Sequence, residues 1–89
     1  MYEDSHFLAI NDIEPETPGH LLIITKEHMK DIHEMPDWML AKVLPLASTL
    51  AIQIKKEHNY DGMYIGTNSG LAAEIPHFHL HVIGKKKKG

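Results

Sequence analysis

The 89-residue chain has no cysteine, so neither a disulfide framework nor a thiolate zinc site can be built from it. No apolar run approaches the roughly 20 residues that span a bilayer. The opening Met1-Tyr2-Glu3-Asp4-Ser5 is acidic and lacks the basic, then apolar, pattern of a signal peptide. Charged residues are mixed along the chain and sum to −3. That leaves no basic stripe fit for nucleic acid. A cytoplasmic protein with no membrane or nucleic-acid partner is the expectation. The length allows one small domain with a thin core, which an oligomer would supplement. The 43% hydrophobic content is that of a folded chain.

Histidine is over-supplied, with eight copies. Three fall at alternate positions in His77-Phe78-His79-Leu80-His81-Val82-Ile83. Around them the text reads as an α+β domain. Residues 7–12 form a strand leading into the turn at 14–19, and residues 20–25 form an apolar strand expected to be buried on both faces. A polar connection over 26–35 contains one helical turn. A helix spans 36–58, with Pro36 at its start and Lys55, Lys56 and His58 at its cationic end. Its stripe is Leu40, Val43, Leu44, Ala47, Leu50, Ala51 and Ile54, and Pro45 is expected to kink or interrupt it. Strands over 63–67 and 77–83 follow, then a solvated basic tail over 85–89. The order predicts an antiparallel sheet with one main helix packed across a face, as a single domain over residues 1–89. Trp38, Met39, Leu46 and Ile52 fall off the stripe, and so point to a homodimer.

On a strand, His77, His79 and His81 share a face while Phe78, Leu80 and Val82 face the core. A metal centre is one use of such a row. At about 3.3 Å per residue the outer two α-carbons lie roughly 13 Å apart, too far for one ion bonded at about 2.1 Å to reach all three rings. An ordinary half-exposed strand explains the alternation, but not the choice of histidine three times. Chemistry on an anion explains both. A neutral imidazole can attack phosphorus, and its neighbours can hold the phosphate oxygens.

The row resembles the signature of the histidine-triad (HIT) nucleotide hydrolases and transferases, His-φ-His-φ-His-φ-φ with φ apolar. The likeness extends through Asp12-Ile13-Glu14-Pro15, Pro18-Gly19-His20-Leu21-Leu22-Ile23-Ile24, Lys26-Glu27-His28 and Asn68-Ser69-Gly70, in the family's order. It covers roughly residues 2–84. The resemblance implies a catalytic set of His79, His77, His81 and His20. His79 would be the nucleophile that takes a nucleoside monophosphate, and His81 a phosphate contact. His77 would orient His79 through its backbone and ring, and His20 would support the triad from the neighbouring strand. It further implies that Asp12 receives the ribose hydroxyls. Ile13, Leu22 and Ile10 would line an apolar slot for the base, and Asn68 would bind near the phosphate. Taken singly, Asp12 and Asn68 are also good turn residues, and Ile13 and Leu22 plain core.

The implied activity is attack on the α-phosphate of nucleoside phosphoramidates or related conjugates, without a cofactor. Dinucleoside polyphosphate hydrolysis and plain nucleotide binding are the alternatives. The chain departs from its relatives at three places. They carry a helix and a preceding segment ahead of the position matched by Met1, and that segment walls their base pocket. Many hold zinc with two cysteines and histidines that His28 and His77 match, so no metal is expected here. The 68–77 loop reads about two residues short of a Gly-Gln pair, and Glu74 stands where a hydroxyl would donate a proton.

Overall fold

The computed structural model describes residues 2–70 and 76–87. Five strands, β1 (Tyr2–Glu3), β2 (Phe7–Asn11), β3 (Leu21–Thr25), β4 (Gly62–Gly66) and β5 (His79–Lys85), accompany one α-helix, α1 (Asp37–His58). They form one antiparallel sheet in the order β1-β2-β3-β5-β4. The α+β expectation holds.

β1 was not foreseen, because two residues carry no readable alternation. It exists through the turn that follows. The Asp4 carboxylate accepts the His6 and Phe7 amides, each at 2.8 Å, which folds Tyr2 back onto Ala9. The sheet's odd and even positions then separate. Phe7, Ala9, Leu21, Ile23, Leu80 and Val82 are buried against α1, as period-2 alternation requires. β3 is therefore covered on one face only, and Leu22 and Ile24 remain half-buried on the other. The expected two-sided burial does not occur, because no helix among the described residues crosses that face.

α1 is continuous through Pro45. Pro45 lies on the solvent side together with Ala41, so the carbonyl deprived of its amide partner faces water. The expected interruption is absent. The buried stripe is Met39, Val43, Ala47, Leu50, Ala51 and Ile54. Met39 is in it and Leu44, at 60% exposure, is out of it, the reverse of the sequence reading. A step of four from Met39 to Val43 to Ala47 keeps one side of the helix inward, whereas Leu44 follows Val43 by 100° of rotation. Trp38 and Ile52 do stand exposed.

The helix ends on Asn59 in the left-handed conformation (φ 56°), and the Tyr60 amide returns to the Lys55 carbonyl at 3.0 Å. Three contacts then hold the 12–20 loop against this end of the molecule. Tyr60 donates its hydroxyl to the Pro18 carbonyl. Thr17 Oγ1 donates to the Gly84 carbonyl at 2.9 Å. Gly19 (φ +85°) lies so close to His58 that a Cβ there would meet Nε2 at 2.8 Å, so only glycine suits the position.

Candidate active site

The face of the sheet away from α1 is a grid set by the strand register. One row runs Ile10, Leu22, His81, Gly66. The row beside it runs Leu8, Ile24, His79. On the other side, Tyr64 pairs with Ile83, and the Asp12 amide bonds the His20 carbonyl at 3.0 Å. Thus Asp12, His20, His79 and His81, which are 69 positions apart in sequence at the extremes, gather in one place, with the paired, half-buried Ile10 and Leu22 beside them.

The protons on these imidazoles follow from their partners. A backbone amide can only donate, and the Glu16 amide reaches His20 Nδ1 at 3.1 Å. That nitrogen is therefore bare, and neutral His20 carries its proton on Nε2. His20 Nε2 lies 3.0 Å from His81 Nδ1, with the Asp12 carboxylate a more distant second contact at 3.5 Å. His20 thus donates to His81, whose own proton sits on Nε2 and faces outward. Burial holds the His81 pKa below the usual histidine value, and the charges that His79 and His20 would carry push the same way. Neutral His81 is therefore the resting form. His79 is oriented oppositely. Its Nδ1 donates to the His77 carbonyl at 2.9 Å, leaving Nε2 with a free lone pair. The two rings stand edge to face, 5.1 Å between centroids. One face of the sheet therefore presents a nucleophilic nitrogen beside an N–H donor.

His77 precedes β5 rather than starting it, because the Phe78 amide is taken by the Met29 carbonyl at 2.6 Å. Its carbonyl orients His79, but its ring does not. The ring donates Nε2–H to the Thr25 carbonyl at 2.9 Å, and its Nδ1 meets His28 Nδ1 at 3.2 Å. Lys85, read as part of the tail, belongs to β5 through its pairing with Gly62. Ile13 is 95% exposed. Asn68 is exposed at the end of β4, and Glu74 lies outside the described residues. Two contributors escaped sequence reasoning. The Glu16 amide leaves no trace in a sequence, since any residue has one. Thr67 donates its hydroxyl to the His79 carbonyl at 2.8 Å, and looks like any strand-end threonine.

Among the described residues, Asp12, His20 and His81 bring one donor atom each within 4.8 Å of one another. A metal there would have to replace the proton that His20 gives to His81. His28 and His77 do come together, but two imidazoles fall short of the four ligands of a structural zinc site.

Residues 1–88 match the HIT domain family, and the chain belongs to the histidine-triad family. It is 36% identical over 85 residues to an uncharacterised HIT-like protein of Methanocaldococcus jannaschii, covering 93% of this chain and 65% of that one. It is 39% identical over 87 residues to the adenosine 5′-monophosphoramidase hnt1 of Schizosaccharomyces pombe, covering 96% and 62%. The crystal structure of a Hit-like protein involved in cell-cycle regulation from Bartonella henselae superposes with a TM-score of 0.92 at 28% identity, over 99% of this chain and 66% of that one. The chain spans less than two thirds of the length of these relatives.

Proposed function

We propose that the protein is a nucleotide hydrolase or transferase that works through a nucleotidyl-histidine on His79. The observation that carries this reading is the opposed pair of tautomers: a bare Nε2 on His79 beside an outward Nε2–H on His81. His79 Nε2 attacks the α-phosphorus of a nucleoside phosphoramidate or related conjugate. A nitrogen–phosphorus bond forms, and the bond to the leaving group breaks with its electron pair on the leaving atom. His81 Nε2–H holds a non-bridging oxygen as charge builds on it. Water then displaces His79 and the monophosphate departs. The lone pair returns to Nε2, and the proton of water passes to solvent. Asp12 accepts the ribose hydroxyls, Ile10 and Leu22 receive the base with Ile13 at the margin, and Asn68 binds near the phosphate. The name of the fission-yeast relative supports the phosphoramidate class. No cofactor takes part in this reading.

Incubation with adenosine 5′-phosphoramidate, acid-free digestion and mass spectrometry tests it. An adenylyl mass on the His79 peptide is expected, and turnover with no adduct at any histidine would refute the covalent route. A homodimer in the cytoplasm is part of the same reading. Trp38, Leu44 and Ile52 leave an apolar side of α1 uncovered, and a monomer at micromolar concentration by light scattering would count against the dimer.

A further inference from the structure

β4 parts from β5 directly beside His79. The ladder between the two strands ends at the Gly66–His81 pair. Carried on in the same register, it would set Asn68 opposite His79 and Gly70 opposite His77. In an antiparallel ladder the N–H and C=O of one residue point to the same neighbour, and successive residues alternate sides. On β5 the odd positions face β4, since the Lys85 carbonyl accepts the Asp61 amide at 3.0 Å. The even positions face the other way, as the Phe78 amide does towards Met29. The carbonyls of His79 and His77 therefore both point to where β4 would have continued.

Neither carbonyl receives its ladder bond. The His79 carbonyl accepts the Thr67 hydroxyl at 2.8 Å, a side chain in place of the Asn68 amide. The Gly70 amide, which the register would aim at the His77 carbonyl, goes instead to Asp31 Oδ2 at 3.4 Å. Asp31 is held for this by its other oxygen, which accepts the His33 amide at 2.9 Å and caps the 3₁₀ turn Ile32–Glu34. Ser69 Oγ meets the His33 ring in the same turn at 3.4 Å. The chain after Thr67 is thus drawn away from β5 towards residues 31–33. The His77 carbonyl is left to the His79 ring, whose Nδ1–H reaches it at 2.9 Å. An imidazole stands up from the face of the sheet, and its N–H must meet the carbonyl near the carbonyl's own plane. The peptide between His77 and Phe78 has to turn out of the sheet to allow that. A ladder bond to Gly70 would hold it flat.

We propose that Thr67 and Asp31 are positioning residues for the nucleophile. Each replaces one rung of the ladder with a side-chain bond. β4 can then end at Gly66 with the His79 carbonyl satisfied and the His77 carbonyl free to hold His79 Nδ1–H. Both act through the backbone of residues 77–79 and not by contact with substrate. The inference rests on the reading of His79 as the nucleophile. Without the Thr67 hydroxyl, the buried side of the His79 carbonyl is satisfied by the Asn68 amide, which closes β4 onto β5 and flattens the 77–78 peptide. His79 then loses the partner that keeps its proton on Nδ1, and with it the fixed lone pair on Nε2.

The experiment measures kcat and KM for adenosine 5′-phosphoramidate, and the 15N shifts of His79, in the wild type, Thr67→Val, Thr67→Ser and Asp31→Ser. Thr67→Val keeps the volume and removes the hydroxyl, and Thr67→Ser keeps the hydroxyl. Asp31→Ser still caps the 3₁₀ turn but has no second oxygen for Gly70. The expected result for Thr67→Val is a kcat about tenfold lower at nearly unchanged KM, as the loss of one bond that orients the attacking group implies. Its His79 Nδ1 signal should move from the protonated position towards a mixture of tautomers. Thr67→Ser should recover both, and Asp31→Ser should shift both in the same direction as Thr67→Val. A Thr67→Val variant with wild-type kcat, or with lower kcat and an unshifted His79 Nδ1, would overturn the inference. The His79 shifts need no substrate. A wild type that leaves the phosphoramidate intact would refute the nucleotide reading, while the tautomer in Thr67→Val would still decide what the hydroxyl does.

Discussion

Replacing His20 by leucine removes two hydrogen bonds and little volume. His20 is 3% exposed, so a side chain of similar size leaves no large cavity. The bonds lost are the one accepted from the Glu16 amide and the one given to His81. Both partners are only partly buried and can be rehydrated, so the cost is that of ordinary bonds, about 1 kcal/mol each, and not the full penalty of two orphaned groups. A total of about 2 kcal/mol is roughly thirtyfold in the folding equilibrium. In a domain of this size it lowers Tm by roughly 8–16 °C.

The effect on the site is separate. Without the donor behind it, His81 no longer has its proton fixed on Nε2, and kcat/KM should fall about tenfold through loss of that one oriented bond. His20→Gln carries both a carbonyl for the amide and an N–H for His81, and should recover a good part of each loss. Thermal melts, turnover and the 15N shifts of His81 read the three consequences. A leucine variant with wild-type Tm and an unshifted His81 tautomer would refute the derivation.

His79→Ala should abolish turnover while shifting Tm by only a few degrees, because the ring is half exposed and leaves little cavity. His77→Ala should cost far less in activity, since the alanine keeps the carbonyl that orients His79. The depressed His81 pKa means that the folded state resists protonation more than the unfolded chain does. Its contribution to stability is present above the unfolded value of about 6.5 and is lost as pH falls through the lower folded value. Activity should fall in the same direction, because a protonated His81 carries N–H on both ring nitrogens and no longer accepts the His20 bond that orients it, and a pH profile flat from neutrality into acid would contradict this. Gly19→Ala should destabilise by about 1–3 kcal/mol from its positive φ, and denaturant titration reads that directly.

Much of this site was legible because it follows periodicities that sequence preserves. Alternation placed Phe78, Leu80 and Val82 inward and the histidines outward. The turn residues Pro18 and Gly19 marked the end of the loop, with His20 directly ahead of β3. What was not legible depends on contacts between distant parts. The side of α1 that faces inward was misread at Met39 and Leu44, because both are equally apolar and only the sheet decides between them. The His77 ring turns to Thr25 because the Met29 carbonyl captures the next amide, a meeting of segments 49 positions apart. The Tyr64 ring lies over Gly66, where a Cβ would meet the phenol hydroxyl, and this needs the absence of a side chain two positions away, which no periodic pattern announces.

The three contacts on the 12–20 loop have a consequence for how the site responds to a ligand. Tyr60, Gly84 and His58 belong to the helix terminus and to β5, the parts of the chain that carry the domain's packing. A loop tied there opens only when the end of the helix frays or the sheet itself gives way, so it belongs to the same cooperative unit as the core. In mechanical terms it is an anvil and not a jaw. Asp12 and His20 hold their positions whether or not a ligand is present, and a ligand must conform to them. Amide hydrogen exchange in the loop will then track the stability of the helix terminus, and will be largely indifferent to occupancy of the histidine row.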